Sequence, residues 1–121
     1  LPKDAYRAAK VDDLLFWEQY SHEPYVAVCR FQMAFLKKTK DQRDAWRVKQ
    51  GEVALDFMED LLTGRKWFAG QSMTIADICL FGYTRLADEG GFDLSSRPHI
   101  LDWIKRCEDE LGLPHRQMTI S

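Results

Sequence analysis

Apolar residues crowd one stretch of this chain. From Ile75 to Leu86 the only charged side chains are Asp77 and Arg85. A helix that is apolar on every face must be covered on every face, so this stretch is predicted to be a buried central helix with other helices packed around it. Its start is marked in the sequence. Thr74 is placed as N-cap and Asp77, three residues on, can reach back to the Thr74 N–H, which together make a capping box with Asp in the usual Glu position. Met73 and Ile78 flank the cap at hydrophobic-staple positions, and the Asp77 charge suits the positive end of the helix. The helix is predicted to close near Asp88, before Gly90-Gly91.

Two longer helical patterns precede it. Asp4 can cap a helix running to about Lys38, with apolar positions at Leu14, Leu15, Trp17, Val26, Val28, Phe31, Phe35 and Leu36. Pro24 interrupts it, and a bend near Tyr20–Ser21 is expected because proline removes one backbone donor and crowds the carbonyl four residues earlier. Two separate helices broken at His22-Glu23-Pro24 are the alternative; one bent helix is preferred. A polar turn, Lys37 to Asp41, leads to a second helix from about Asp41 to Leu62. There Trp46, Val53, Phe57 and Leu61 form a stripe that Ala54, Met58 and Leu62 broaden. Gly51 suggests close approach of a neighbouring helix, and Gly64 is a plausible stop. After a loop over Phe92–Arg97, Pro98 opens a last helix with Ser95 or Ser96 as cap. Ile100, Leu101, Trp103, Ile104 and Leu111 face inward, and Gly112 and Pro114 end it. No segment alternates as a strand does, so the fold class is all-α.

Composition narrows the function. The 121 residues carry a net charge of −2, with 45 % hydrophobic and 30 % charged residues; that is ordinary for a globular domain and gives no basic footprint for nucleic acid. Cys29, Cys79 and Cys107 form no C-x-x-C pair, and Cys29 and Cys79 fall on apolar helix faces, as buried free thiols do. With no apolar run of membrane-spanning length, no signal peptide and no Asn for glycosylation, a cytoplasmic protein is expected. His22, His99 and His115 lack metal-ligand spacing, and no Walker, G-x-G-x-x-G, G-x-S-x-G or H-E-x-x-H motif occurs, so no metal and no self-contained catalytic site are expected. Leu1-Pro2-Lys3-Asp4 lacks an initiator Met and reads as a linker, so the chain is expected to belong to a longer protein.

Trp67-Phe68-Ala69-Gly70 followed by Met73-Thr74-Ile75-Ala76-Asp77-Ile78 resembles the capping-box region of the glutathione transferase C-terminal domain, where it opens the buried sixth helix. The likeness, strongest to bacterial, beta- or theta-like members, covers the whole chain, 1–121, as one helical bundle: two long helices, the first kinked, around a buried central helix. The resemblance implies a detoxification enzyme that conjugates glutathione, its co-substrate, to small electrophiles, and a homodimer. It also implies an N-terminal thioredoxin-like half, not present in this sequence, that binds glutathione and supplies the activating Ser, Cys or Tyr. This chain would then supply the electrophile pocket and dimer contacts, bind no cofactor alone and be inactive alone, with no nucleic-acid or membrane partner. The alternative is a non-enzymatic interaction module of the same fold, of the translation-factor-gamma, tRNA-synthetase-complex or stringent-starvation-protein type.

Site expectations follow from residues and resemblance together. His22, just before the kink, has a side chain that titrates near neutrality and can donate to a thiolate or leaving group; in the bacterial relatives a histidine at this place faces the active site, so His22 is the auxiliary catalytic candidate, expected to point out of the bundle. Helical spacing puts Leu15, Glu18, Gln19 and Val26 on the same face. The position of Leu15 is polar in those relatives and helps hold glutathione, which Leu15 cannot do; Glu18 or Gln19 can supply a polar contact instead. Arg85 and Leu86 are where the family walls its electrophile pocket. Trp17, Tyr20 and Tyr25, aromatics near the kink, are read as plain packing residues first, with an apolar pocket or a subunit interface as the alternatives. Thr74 and Asp77 are structural caps.

Overall fold

Asp4 starts the first helix as expected: its carboxylate accepts the Tyr6 N–H at 3.1 Å and opens α1 (Ala5–Trp17). The computed structural model describes residues 3–118; the Leu1-Pro2 linker and the last three residues of the tail lie outside the described residues. Pro24 has no N–H for the carbonyl of Tyr20. The chain answers with a π-helical turn over Glu18–His22, in which the Glu23 N–H reaches the carbonyl of Glu18, five residues back. The widened turn takes up the proline without stopping the helix, and α2 (Glu23–Ala34) continues at once. The expected bend is therefore this turn, in one continuous rod. The rod ends at Ala34 rather than near Lys38, and Lys37 turns the chain with a φ of 58°.

A 3-10 turn at Lys40–Gln42 precedes α3 (Ala45–Leu61). The core-facing side of α3 is Ala54, Leu55, Met58 and, just past its end, Leu62, each at most 2 % exposed. The stripe of Trp46, Val53 and Phe57 faces outward, at 57, 54 and 42 % exposure. Gly51 does mark a close approach, but to a ring and not to a helix: a Cβ there would lie 2.5 Å from the Phe92 ring.

The central helix, α4, runs Ile75–Thr84, shorter than expected, and a 3-10 turn at Ala87–Gly90 follows. Its capping box is present. Thr74 Oγ1 accepts the Ala76 N–H at 3.2 Å, and Asp77 Oδ2 accepts the Thr74 N–H at 3.0 Å. Asp77 does more than cap. Fully buried, its Oδ1 also accepts the Phe68 N–H at 3.1 Å and the Trp103 indole N–H at 3.0 Å. One carboxylate thus ties the 67–70 loop, α4 and α5 (Pro98–Leu111) together. Around it Phe68 and Trp103 meet edge to face, their centroids 5.0 Å apart.

α5 is capped from a distance. Ser95 and Ser96 do not cap it; Arg97 holds the N-cap position without a side-chain cap bond. Glu59 of α3 supplies the acceptors, taking the N–H groups of His99 and Ile100 at 3.0 and 2.9 Å. Ile100, Trp103 and Ile104 face inward as expected, whereas Leu111 is 40 % exposed. Glu59→Ala is expected to cost about 1–2 kcal/mol, the range of a lost N-cap, and to lower Tm by about 3–8 °C, which a thermal melt followed by circular dichroism will check. Gly112, with φ 69°, ends α5, and the Leu113 N–H closes back on the carbonyl of Glu108 at 2.8 Å.

Candidate functional site

The face expected to carry the chemistry splits in two. His22 does not point outward: it is fully buried, and its Nε2 lies 2.8 Å from Thr84 Oγ1 of α4. Its Nδ1 lies 3.6 Å from Glu18 Oε1, and neither of these two atoms has a hydrogen-bond partner within normal range. Glu18 is itself 3 % exposed, with its other oxygen accepting from Gln19 Nε2 at 2.8 Å. Trp17 covers the imidazole at a centroid distance of 5.9 Å. The π-turn drives this arrangement, because it faces Glu18 and His22 inward against α4, where Thr84 is also buried. Val26, fully buried, continues the same inner line. Of the five residues grouped by helical spacing, Leu15 is half-buried and Gln19 alone is exposed.

Arg85 and Leu86 follow the end of α4. The Arg85 guanidinium is engaged: Nε donates to Glu108 at 2.9 Å, Nη2 donates to the carbonyl of Pro114 at 3.0 Å, and it lies over the Phe81 ring at 5.6 Å. Arg116 extends the network, donating to the carbonyl of Arg85 and to the carboxylates of Asp88 and Glu89, while Arg30 donates to Glu89 at 2.7 Å. The pair holds the tail on α4 and α5. Leu86 is half-buried.

Helical-wheel reasoning missed the face that is open. α4 is not covered all round: Ile75, Ile78 and Tyr83 are 41, 44 and 40 % exposed, and Cys79 and Gly82 are exposed between them. The burial expected of Cys79 is corrected here; Cys29 is buried as expected, and Cys107, whose burial the sequence left open, is buried too. The signal was present in the sequence, since a helix apolar on every side has one face more than a small bundle can cover. Beside it Tyr83 closes a groove of about 300 Å³ with Glu23, Ala27, Arg30 and the stacked rings of Phe31 and Phe35. A second apolar seam, about 200 Å³, lies between Trp17 and Ser21 on one side and Gln50, Val53 and Phe57 on the other, with the Trp17 and Phe57 rings 5.0 Å apart. Tyr20 is 75 % exposed, and Tyr25 meets Trp46 edge to face at 6.0 Å.

Chemically these surfaces are receptive rather than reactive. Burial pushes the Cys29 and Cys107 thiols up; Cys79, exposed on the surface, is raised by the partial desolvation of its sulfur and by the nearby Glu18 charge, and a thiol so shifted is a poor nucleophile. Among the described residues no cluster of His, Cys, Asp or Glu could hold a metal ion, and no helix is long and apolar enough to cross a membrane.

Comparison with known proteins fits this picture. The family model of the glutathione S-transferase C-terminal domain matches residues 16–110. The crystal structure of a glutathione S-transferase from Xanthobacter autotrophicus superposes with a TM-score of 0.85 at 40 % identity, over 98 % of this chain and 57 % of that one. One from Pseudomonas fluorescens gives 0.84 at 42 %, over 89 % and 55 %. A glutathione S-transferase of Anopheles gambiae is 30 % identical over 110 residues, 91 % of this chain and 49 % of that protein. The chain spans about half the length of the relatives it matches.

Proposed function

Because this chain belongs to the glutathione S-transferase C-terminal domain family, we propose that it is the helical half of an enzyme that conjugates glutathione to small electrophiles. The observation that carries the reading is the open apolar face of α4, with Leu15 on α1, Gln19 in the π-turn and the Tyr83 groove as further half-covered or exposed positions. It offers binding surface but no activated nucleophile. Glutathione and the group that lowers its thiol pKa belong to the thioredoxin-like half with which such domains pair; this chain contributes the wall against which an apolar electrophile packs. Gln19, an exposed residue whose amide N–H donates to Glu18, is the polar contact in place of Leu15. Arg85 is a brace for the tail beside that wall, and Leu86 is an apolar edge of it. His22 acts from behind: through Thr84 it fixes where α4 sits against α1, which makes it a positioning residue. The outward aromatic seam of Trp17, Val53 and Phe57, with Trp46, suits a second copy of the protein.

Calorimetry tests this reading. The 121-residue chain alone is expected to bind glutathione with a Kd weaker than about 1 mM, because it holds no thiol-activating group of its own. The chain joined to a thioredoxin-like half is expected to bind it in the micromolar range and to turn over a chromogenic electrophile. Micromolar binding by the chain alone would place the glutathione site in this half and overturn the assignment. A joined protein that binds no glutathione would make this domain a non-enzymatic assembly module.

A further inference from the structure

The groove beside Tyr83 carries charge of both signs. Glu23, Ala27, Arg30 and Phe31 line it from α2 at i, i+4, i+7 and i+8, which is one helix face, and Phe35 and Tyr83 complete it. The Phe31 and Phe35 rings stack with centroids 5.7 Å apart and planes 27° apart. A volume of about 300 Å³ is at the small end for ligand pockets. It has room for one flat ring, which extends the stack.

Arg30 is placed to hold an anionic group on such a ring, yet its charge is already matched. Its Nε donates to Glu89 Oε1 at 2.7 Å, and its guanidinium lies over the Phe35 ring at 5.5 Å. Gly90 brings Glu89 there. A Cβ on Gly90 would lie 2.8 Å from the backbone nitrogen of Arg30, so glycine is what lets the 3-10 turn press against α2 at this point. The other Glu89 oxygen accepts from Arg116 Nη2 at 3.1 Å, and Arg116 Nη1 donates to Asp88. Arg30 and Glu89 cancel, and so do Arg116 and Asp88. Glu23 forms no ion pair among the described residues, which leaves it as the uncompensated charge of the groove. An anion entering there meets that carboxylate and a guanidinium already paired. An uncharged ring meets the aromatic faces, Ala27 and Val28.

We infer that Glu89 sets the charge preference for the electrophile: by holding Arg30 it makes the Tyr83 groove a site for a flat, uncharged aromatic electrophile and turns anionic ones away. The inference rests on the two-half reading above and names the substrate class of that wall. Glu89 acts through Arg30, which makes it a positioning residue.

The N-terminal half of the Pseudomonas relative is joined ahead of this chain, and kcat/KM is measured for uncharged 1-chloro-2,4-dinitrobenzene and anionic 4-chloro-3-nitrobenzoate. In each reaction the glutathione sulfur bonds to the ring carbon that bears chlorine, chloride leaves with the bonding electron pair, and the thiol proton passes to water. The readout is the ratio of the two values, variant against wild type, so that intrinsic reactivity drops out. Glu89→Gln is expected to lower the uncharged-to-anionic ratio at least about tenfold, through a lower KM for the anion, as the loss of one facing charge does. Glu89→Asp keeps the charge and is expected to keep the wild-type ratio, whereas a merely structural loss moves both substrates alike. Arg30→Gln added to Glu89→Gln is expected to restore the ratio. A ratio that Glu89→Gln leaves unchanged, or a fall that survives Arg30→Gln, overturns the inference. A titration of the wild-type 121-residue chain, followed by NMR, needs neither variants nor turnover. There 1,3-dinitrobenzene is expected to shift the signals of Ala27, Phe31 and Tyr83 with a Kd at least about tenfold lower than that of 3,5-dinitrobenzoate. Equal affinities, a preference for the anion, or no shift at these residues overturns the inference. Charge preference in the titration with no turnover by the joined protein sinks only the enzymatic reading, and turnover without charge preference sinks only this role of Glu89.

Discussion

Asp77→Ala is expected to destabilise the domain by about 3–5 kcal/mol, because it removes a cap worth about 0.5–2 and leaves buried donors unpaired at about 1–3 each, less than additively. The donors are the N–H groups of Phe68 and Thr74 and the indole N–H of Trp103, all within 3.1 Å of one fully buried carboxylate. Against a total stability of about 5–15 kcal/mol for a domain, that is enough to leave a weak variant partly unfolded. Asp77→Asn keeps the shape and one carbonyl acceptor, so its loss is expected to fall between wild type and Asp77→Ala. Urea midpoints for the three proteins decide it. If the Ala variant unfolds at the wild-type midpoint, the carboxylate does not hold the loop, α4 and α5 together.

His22→Ala is expected to be the second most damaging change, at about 2–4 kcal/mol, from the cavity left by a fully buried ring and the polar groups it leaves facing that cavity. Thr84 Oγ1 loses its partner at 2.8 Å, and the Glu18 carboxylate, 3 % exposed, loses the group nearest its free oxygen. Denaturant unfolding of the chain alone measures this directly. In the protein joined to a thioredoxin-like half, the folded fraction of His22→Ala is expected to keep kcat within about threefold while KM for the electrophile rises, because displaced positioning costs binding before chemistry. A wild-type melting curve with a tenfold or greater fall in kcat would instead return His22 to the direct chemical role that its place in the sequence suggests.

Both residues were visible in the sequence, but not equally well. Asp77 declared itself because its partner Thr74 is three residues away, and a capping box is written in consecutive positions. Its bonds to Phe68 and Trp103 join residues 9 and 26 positions apart and were not legible. His22 drew notice by residue type and by Pro24 beside it, yet its direction was misread. Helical spacing assigns relative phase, and it was right that Glu18, His22 and Val26 share a side; it does not say whether that side faces water or the core. Thr84, the group that settles the matter, is 62 residues on. Nothing near His22 in the chain points to it.

The same division runs through the whole protein. Local chemistry determined the helix count and most helix starts and stops: Asp4, the Pro24 disturbance, Thr74 with Asp77, Pro98, Gly112. These are interactions over one turn, and their partners lie within a few residues of each other. Tertiary structure alone decided which apolar side of each helix is buried. α3 carries two, and packing chose Ala54, Leu55 and Met58 over Trp46, Val53 and Phe57, with Gly51 letting the Phe92 ring approach closely on the buried side. α4 is apolar all round, and the other helices of this chain cover all of it but the side of Ile75, Ile78, Cys79, Gly82 and Tyr83. Burial is a property of what lies opposite, and a residue's opposite number in space is set by the whole chain's path rather than by its neighbours in sequence.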